Sequence, residues 1–96
     1  MVPDLHEING IGDYEERPEK DRMLYMKDDK TFLVVNKNTI EVRCDHELSK
    51  NLQEKYESVM ESRYFGRGGI EIVPTSQLTK EELADLIRLS YELTDK

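Results

Sequence analysis

The sequence predicts an α+β domain: a five-stranded antiparallel or mixed sheet with helices packed on one face, in the order β(3)-α-β(2)-α. Three observations predict it. Residues 22–43 fall into short alternating or β-branched runs separated by two tight turns. Residues 64–73 hold a second strand pair around a glycine-rich stretch. Two stretches with helical periodicity, one after each strand group, offer narrow apolar stripes that need a sheet to lie on.

The first 21 residues read as an irregular acidic arm. Gly10, Gly12 and Pro18 interrupt any helical period, and at most a short helical turn fits before Gly10. Only Val2, Leu5, Ile8 and Ile11 offer apolar contacts, and Asp13, Glu15, Glu16, Glu19 and Asp21 make the segment a solvated lead-in. Strands follow. Arg22 to Lys27 alternates, with Met23, Tyr25 and Lys27 on one face and Leu24 and Met26 on the other; Asp28, Asp29 and Lys30 supply a turn. Thr31 to Val35 is a β-branched run, Asn36 to Asn38 a second turn in which Asn tolerates positive φ, and Thr39 to Arg43 a third strand with Ile40 and Val42 on one face.

Asp45 is placed to cap a helix from His46 to about Tyr56, with Leu48, Leu52 and Tyr56 as its stripe. After Ser58, Tyr64 and Phe65 begin a short aromatic strand, Gly66, Arg67, Gly68 and Gly69 form a turn, and Ile70, Ile72 and Val73 form the last strand before Pro74. The closing helix has the clearest signature. Thr79 is its N-cap, Glu82 completes a capping box, and Leu78 and Leu83 are spaced as a hydrophobic staple. Leu83, Leu86, Ile87, Ser90 and Tyr91 then share one face.

Ninety-six residues make a single domain, residues 1–96, with one modest core. The net charge of −7 disfavours broad non-specific binding to nucleic acid but leaves room for a local basic patch. Cys44 is the only cysteine, which excludes an intramolecular disulfide and a multi-cysteine zinc site and fits a reducing cytoplasm. No signal peptide is evident and no apolar run is long enough to span a bilayer, so a cytoplasmic location is expected. The sequence offers no paired acid and base, no metal set and no activated nucleophile, so neither an enzyme nor a cofactor is expected. Cys44 precedes a helix start, where a thiol pKa can fall, but without a partner it reads as a small buried residue. His46, alone, reads as a surface residue.

Residues 39–94 resemble the MmcQ/YjbR family. The resemblance rests on IEVRCDHELSKNLQEKY, a strand running into a Cys-Asp-x-Glu-Leu helix start; on ESRYFGRGGIEIV, the family's second hairpin; and on LTKEELADLIRLSYELT, its closing helix with a Ser-Tyr-Glu-Leu end. It implies an α-β(3)-α-β(2)-α order, similar to the type III secretion chaperone-like fold, and DNA binding through a winged hairpin. Two departures stand out. The family's first helix is shortened or absent here, which would leave a patch of sheet less covered. The family's Trp at the last strand is missing, and the matching position is Gly69.

The candidate contacts for nucleic acid or another anion are therefore Arg43, Arg63, Gly66, Arg67, Gly68 and Gly69. In a glycine-rich turn successive N–H groups can cradle a phosphate, with Arg63 and Arg67 flanking it. The plainer reading is a hairpin turn that needs positive φ. Tyr56, Tyr64, Phe65 and Tyr91 are candidate stacking platforms that their spacing assigns rather to the core. DNA is thus one expected partner. The alternative is an acidic protein–protein interaction or chaperone-like adaptor, or self-association, through an exposed sheet face.

Overall fold

The computed structural model describes residues 4–74 and 77–94. Six strands form one antiparallel sheet: β1 (Glu15–Glu19), β2 (Arg22–Lys27), β3 (Lys30–Asn36), β4 (Ile40–Arg43), β5 (Val59–Ser62) and β6 (Gly66–Ile72), in the spatial order β1-β2-β3-β4-β6-β5. Helix α1 (His46–Lys55) crosses from β4 to β5, and α2 (Lys80–Leu93) closes the chain. The α+β class and the helix positions follow the sequence; the strand number does not. The sheet has six strands, not five, because part of the expected irregular arm is β1.

Strand β1 is Glu-Glu-Arg-Pro-Glu, exposed throughout. It has no apolar face, yet it pairs residue for residue with β2, Glu15 against Met26 through Glu19 against Arg22. As an edge strand it tolerates Pro18 and its charges, which also blunt the edge against further pairing. The β2–β3 turn is two residues, Asp28 and Asp29, with φ of 50° and 66°, the left-handed pair of a type I′ hairpin. The Asn36–Asn38 region, where Asn would tolerate positive φ, does not use it.

The helices lie on one face over a core of Leu33, Ile40, Val42, Val59, Ile70 and Ile72. Both Phe32 and Leu33, adjacent in β3, are fully buried in that core. Adjacent strand residues normally point to opposite faces. Here Met26 pairs with Thr31 and Tyr25 with Leu33, leaving Phe32 as the extra residue of a bulge that turns its ring to the helix side. Phe32 meets Tyr91 of α2 edge-on, ring centroids 4.9 Å apart.

Helix α2 begins as its sequence specifies. Thr79 Oγ1 accepts from the Glu82 N–H and Glu82 Oε1 accepts from the Thr79 N–H, and Leu78 and Leu83 are both buried. The Tyr56 hydroxyl donates to Glu82 Oε2, tying the end of α1 to the start of α2. On the buried face, the Ser90 hydroxyl accepts from the Arg43 N–H at 2.7 Å and donates to the Phe32 carbonyl. It thereby bridges β3 and β4 where their ladder opens beyond Leu33 and Val42.

The sheet patch that a shortened first helix would leave bare is covered by the arm. A single 3-10 turn, Leu5–Glu7, buries Leu5 and Ile8 in the main core, with Ile11 and Tyr14 packed against it. The Tyr91 hydroxyl donates to the Asp13 carbonyl and holds the arm down. Val2, the remaining apolar residue of the arm, lies outside the described residues.

The largest departure from expectation is the second hairpin. The turn is Arg63–Phe65, and Gly66 to Gly69 form the first half of β6 rather than the turn. Tyr64 and Phe65 do not start a strand. The turn does not project from the rim but folds across the sheet face opposite the helices. There Phe65 packs on Leu24, Met26 and Val34, a second small core. To arrive there it crosses β6 at Gly69. A Cβ on Gly69 would lie 2.7 Å from Phe65 Cβ and 2.5 Å from the Val42 carbonyl oxygen. Gly66, at φ +63°, supplies the left-handed step back into β6.

Gly69 is thus a contact requirement and Gly68, where an added Cβ would meet nothing closer than the Phe65 carbonyl oxygen at 3.6 Å, is not. Gly69→Ala is expected to destabilise the fold by about 1–3 kcal/mol through overpacking, and Gly68→Ala by less than about 1 kcal/mol. Urea unfolding of the two variants checks this; equal effects would contradict the crossing.

Candidate functional site

The open face of the sheet carries the most unusual chemistry in the molecule. Ile40 and Val42 in β4, and Ile70 and Ile72 in β6, point to the helices, so Glu41 and Glu71 between them point the other way. The two glutamates are direct cross-strand partners, and each is only 2 % exposed. Like charges placed opposite one another in a sheet repel, and burial removes the water that would screen them. Such a pair persists only when each carboxylate is supplied with donors.

The turn and the β3–β4 connection supply them. Glu41 accepts from Ser62 Oγ at 2.7 Å, the Tyr64 N–H at 2.8 Å and Asn36 Nδ2 at 2.9 Å. Glu71 accepts from Arg63 Nε at 2.9 Å, Arg63 Nη2 at 2.8 Å and Thr39 Oγ1 at 2.7 Å. Asn36 Nδ2 also donates to Thr39 Oγ1, so one continuous network joins the two carboxylates. The hydrogen bonds from Arg63, helped by Thr39, hold the Glu71 carboxyl below the ordinary carboxylate range against the opposing effect of burial. The Phe65 N–H donates to Ser62 Oγ, and the Tyr64 hydroxyl shares a hydrogen bond with Thr31 Oγ1. Glu41 and Glu71 were missed by the sequence reading. Their signal was present as a glutamate centred in each of two apolar strands, Ile-Glu-Val and Ile-Glu-Ile.

Beside this network lies a groove of about 650 Å³. Lys20, Arg22, Lys37, Glu41, Arg63 and Tyr64 are among the residues that line it. Its lining has four basic and three acidic side chains, whereas the chain as a whole has 14 basic and 21 acidic residues. Arg22 pairs with Glu19 at 2.6 Å on the surface and lies 5.1 Å from the centroid of the Tyr64 ring. Lys20 and Lys37 are exposed and make no ion pair among the described residues. Tyr64 is 38 % exposed and, with Met60, is one of two large apolar side chains so exposed among the described residues.

Comparisons with protein-family models, with curated proteins and with solved structures return no match.

The structure distributes the sequence-derived candidates unevenly. Arg63 stands at the groove, but its guanidinium is committed to Glu71. Arg43 lies under the turn, its Nε donating to the Thr31 carbonyl and its guanidinium 5.0 Å from the Phe65 ring centroid. Arg67 is exposed in β6. Gly66, Gly68 and Gly69 do not form an anion-binding turn. They are strand residues, with the Gly68 N–H donating to Phe65, the Gly68 carbonyl accepting from Cys44, and Gly69 paired with Arg43. Tyr56 and Tyr91 are packing residues whose hydroxyls are engaged elsewhere. Cys44 is buried, and burial pushes its thiol up to about 11, so it is protonated at neutral pH and no nucleophile. His46 is exposed. Among the described residues no group of three or more His, Cys, Asp or Glu side chains is placed to hold a metal, and no helix is long and apolar enough to cross a membrane.

Because the folded pKa of Glu71 lies below its unfolded value, its stabilising effect is present above the ordinary carboxylate pKa. It is lost as pH falls through the folded value. Arg63→Ala removes the principal cause of that shift. The variant is expected to unfold at lower urea than the parent at neutral pH, with the gap closing as the pH is lowered through the folded pKa of Glu71. A gap that stays constant with pH would contradict the network.

Proposed function

We propose that this chain is a non-catalytic nucleic-acid-binding module of the MmcQ/YjbR kind that works through the open face of its sheet. The observation that carries the reading is the groove. Within a strongly acidic molecule it gathers Lys20, Arg22, Lys37 and Arg63 around an exposed aromatic ring. A nucleic-acid backbone is held by Lys and Arg side chains, and their enrichment at one concave place matters more for contact than the sign of the whole molecule. Arg22 is available because its pair with Glu19 is a surface pair, worth little and readily exchanged for a phosphate. Arg63 contributes by position, since Glu71 already takes its charge.

The family resemblance supports the same reading with one change of place. The expected contacts centred on a glycine turn, whereas this geometry favours the groove on the far side of Arg63. It also leaves no room at position 69 for the Trp that the resemblance would place there. A side chain at position 69 would collide with Phe65, whose ring takes the space over β6. The alternative, an acidic interaction module, draws support from Met60, 41 % exposed on edge strand β5.

Binding of a fluorescent oligonucleotide, followed by anisotropy across a salt series, tests the proposal. Affinity is expected to fall with salt, and the slope of log K against log salt to shrink by about 0.7–0.9 for each of Lys20→Ala and Lys37→Ala. An affinity indifferent to both substitutions and to salt would contradict it. Accompanied by a light-scattering mass that rises with concentration, that result would favour the interaction module.

A further inference from the structure

We infer that the groove takes single-stranded nucleic acid in preference to duplex. The inference rests on the reading of the groove as a nucleic-acid site and adds which form of the polymer fits it. A duplex is read by an element that enters one of its grooves, a helix or a projecting ribbon. The candidate ribbon here does not project. The Tyr64 N–H is bound to Glu41, the Phe65 N–H to Ser62, and the Tyr64 hydroxyl to Thr31, so the 63–65 turn lies flat on the sheet. Neither helix offers a basic reading face. The exposed residues of α1 include Glu47 and Glu54 beside Lys50 and Lys55, and α2 mixes Glu81 and Asp85 with Lys80.

What the open face does offer suits a strand whose bases are free to splay. Tyr64 presents a ring 38 % exposed, with the Arg22 guanidinium over it at 5.1 Å from its centroid and Phe65 packed against it at 4.9 Å, so the outer surface of this pair is what a base meets. An aromatic ring and a guanidinium plane are the surfaces on which unpaired bases stack, and a paired base keeps both of its faces inside the helix. Lys20 and Lys37 stand on the same groove and make no ion pair among the described residues, in reach of a backbone that tracks along it. The size agrees. A groove of about 650 Å³ lies in the range of small-molecule sites, about 300–1,000 Å³, room enough for an unpaired nucleotide.

The test is an anisotropy titration of the full chain at low salt with a labelled oligothymidylate and, separately, a labelled hairpin duplex. Tyr64→Ala and Tyr64→Phe variants are run alongside. Oligothymidylate is expected to bind at least about tenfold more tightly than the duplex. Tyr64→Ala is expected to weaken it by about fivefold or more, and Tyr64→Phe, which keeps the ring and loses only the bond to Thr31, by less than about twofold. Duplex binding as tight as single-strand binding would overturn the inference while leaving the nucleic-acid reading in place. Single-strand binding unaffected by Tyr64→Ala would also overturn it. Failure of both probes to bind would overturn the underlying reading and the inference with it.

Discussion

The structure depends on how the sheet covers its second face. Helices α1 and α2 and the N-terminal arm cover only the first. On the other side Leu24, Met26 and Val34 are apolar, and Glu41 and Glu71 are charged and adjacent. Left open, that face would expose an apolar patch beside two repelling carboxylates. The three-residue turn 63–65 answers both demands. Phe65 covers the apolar side chains, while Ser62, Arg63 and the Tyr64 N–H serve the carboxylates. Buried carboxylates left without donors are strongly destabilising.

The same arrangement explains the residues around it. Gly69 is bare because Phe65 crosses there, and Gly66 takes a positive φ because the chain must turn sharply back into β6. Arg43 supports the Phe65 ring from below and Arg22 flanks Tyr64. The groove is the space left between this folded turn and the connections joining β1 to β2 and β3 to β4, so its shape and the position of Tyr64 both follow from the network.

Much of this was legible where local chemistry decides. The capping box at Thr79, the N-cap at Asp45, a turn at Asp28 and Asp29 and the alternation of β2 and β4 are written in adjacent residues, and the structure follows them, except that Lys30, expected in the turn, is the first residue of β3. Strand β1 was not legible. Glu-Glu-Arg-Pro-Glu has no strand pattern, and pairing with β2 imposes its conformation. The second hairpin was misplaced because local propensity opposes the tertiary outcome. Aromatic Tyr64 and Phe65 favour strand and Gly66 to Gly69 favour turn, yet packing over Gly69 reverses them. Of the candidate site, Arg63 was found from sequence. Sequence spacing assigns Tyr64 to the core, whereas it is 38 % exposed. Lys20, Arg22 and Lys37 are brought beside them by β1 and by the β3–β4 connection, which sequence spacing does not reveal.

The central claim is that the 63–65 turn is held on the sheet by Glu41. Amide hydrogen exchange of Tyr64 tests it most directly, because that N–H donates to Glu41 Oε1 at 2.8 Å. The account predicts exchange slowed by about a hundredfold or more relative to an unstructured chain, with the protection lost in Glu41→Ala while β3 amides stay protected. A Tyr64 amide that exchanges freely in the parent protein, with the rest of the sheet intact, would contradict it.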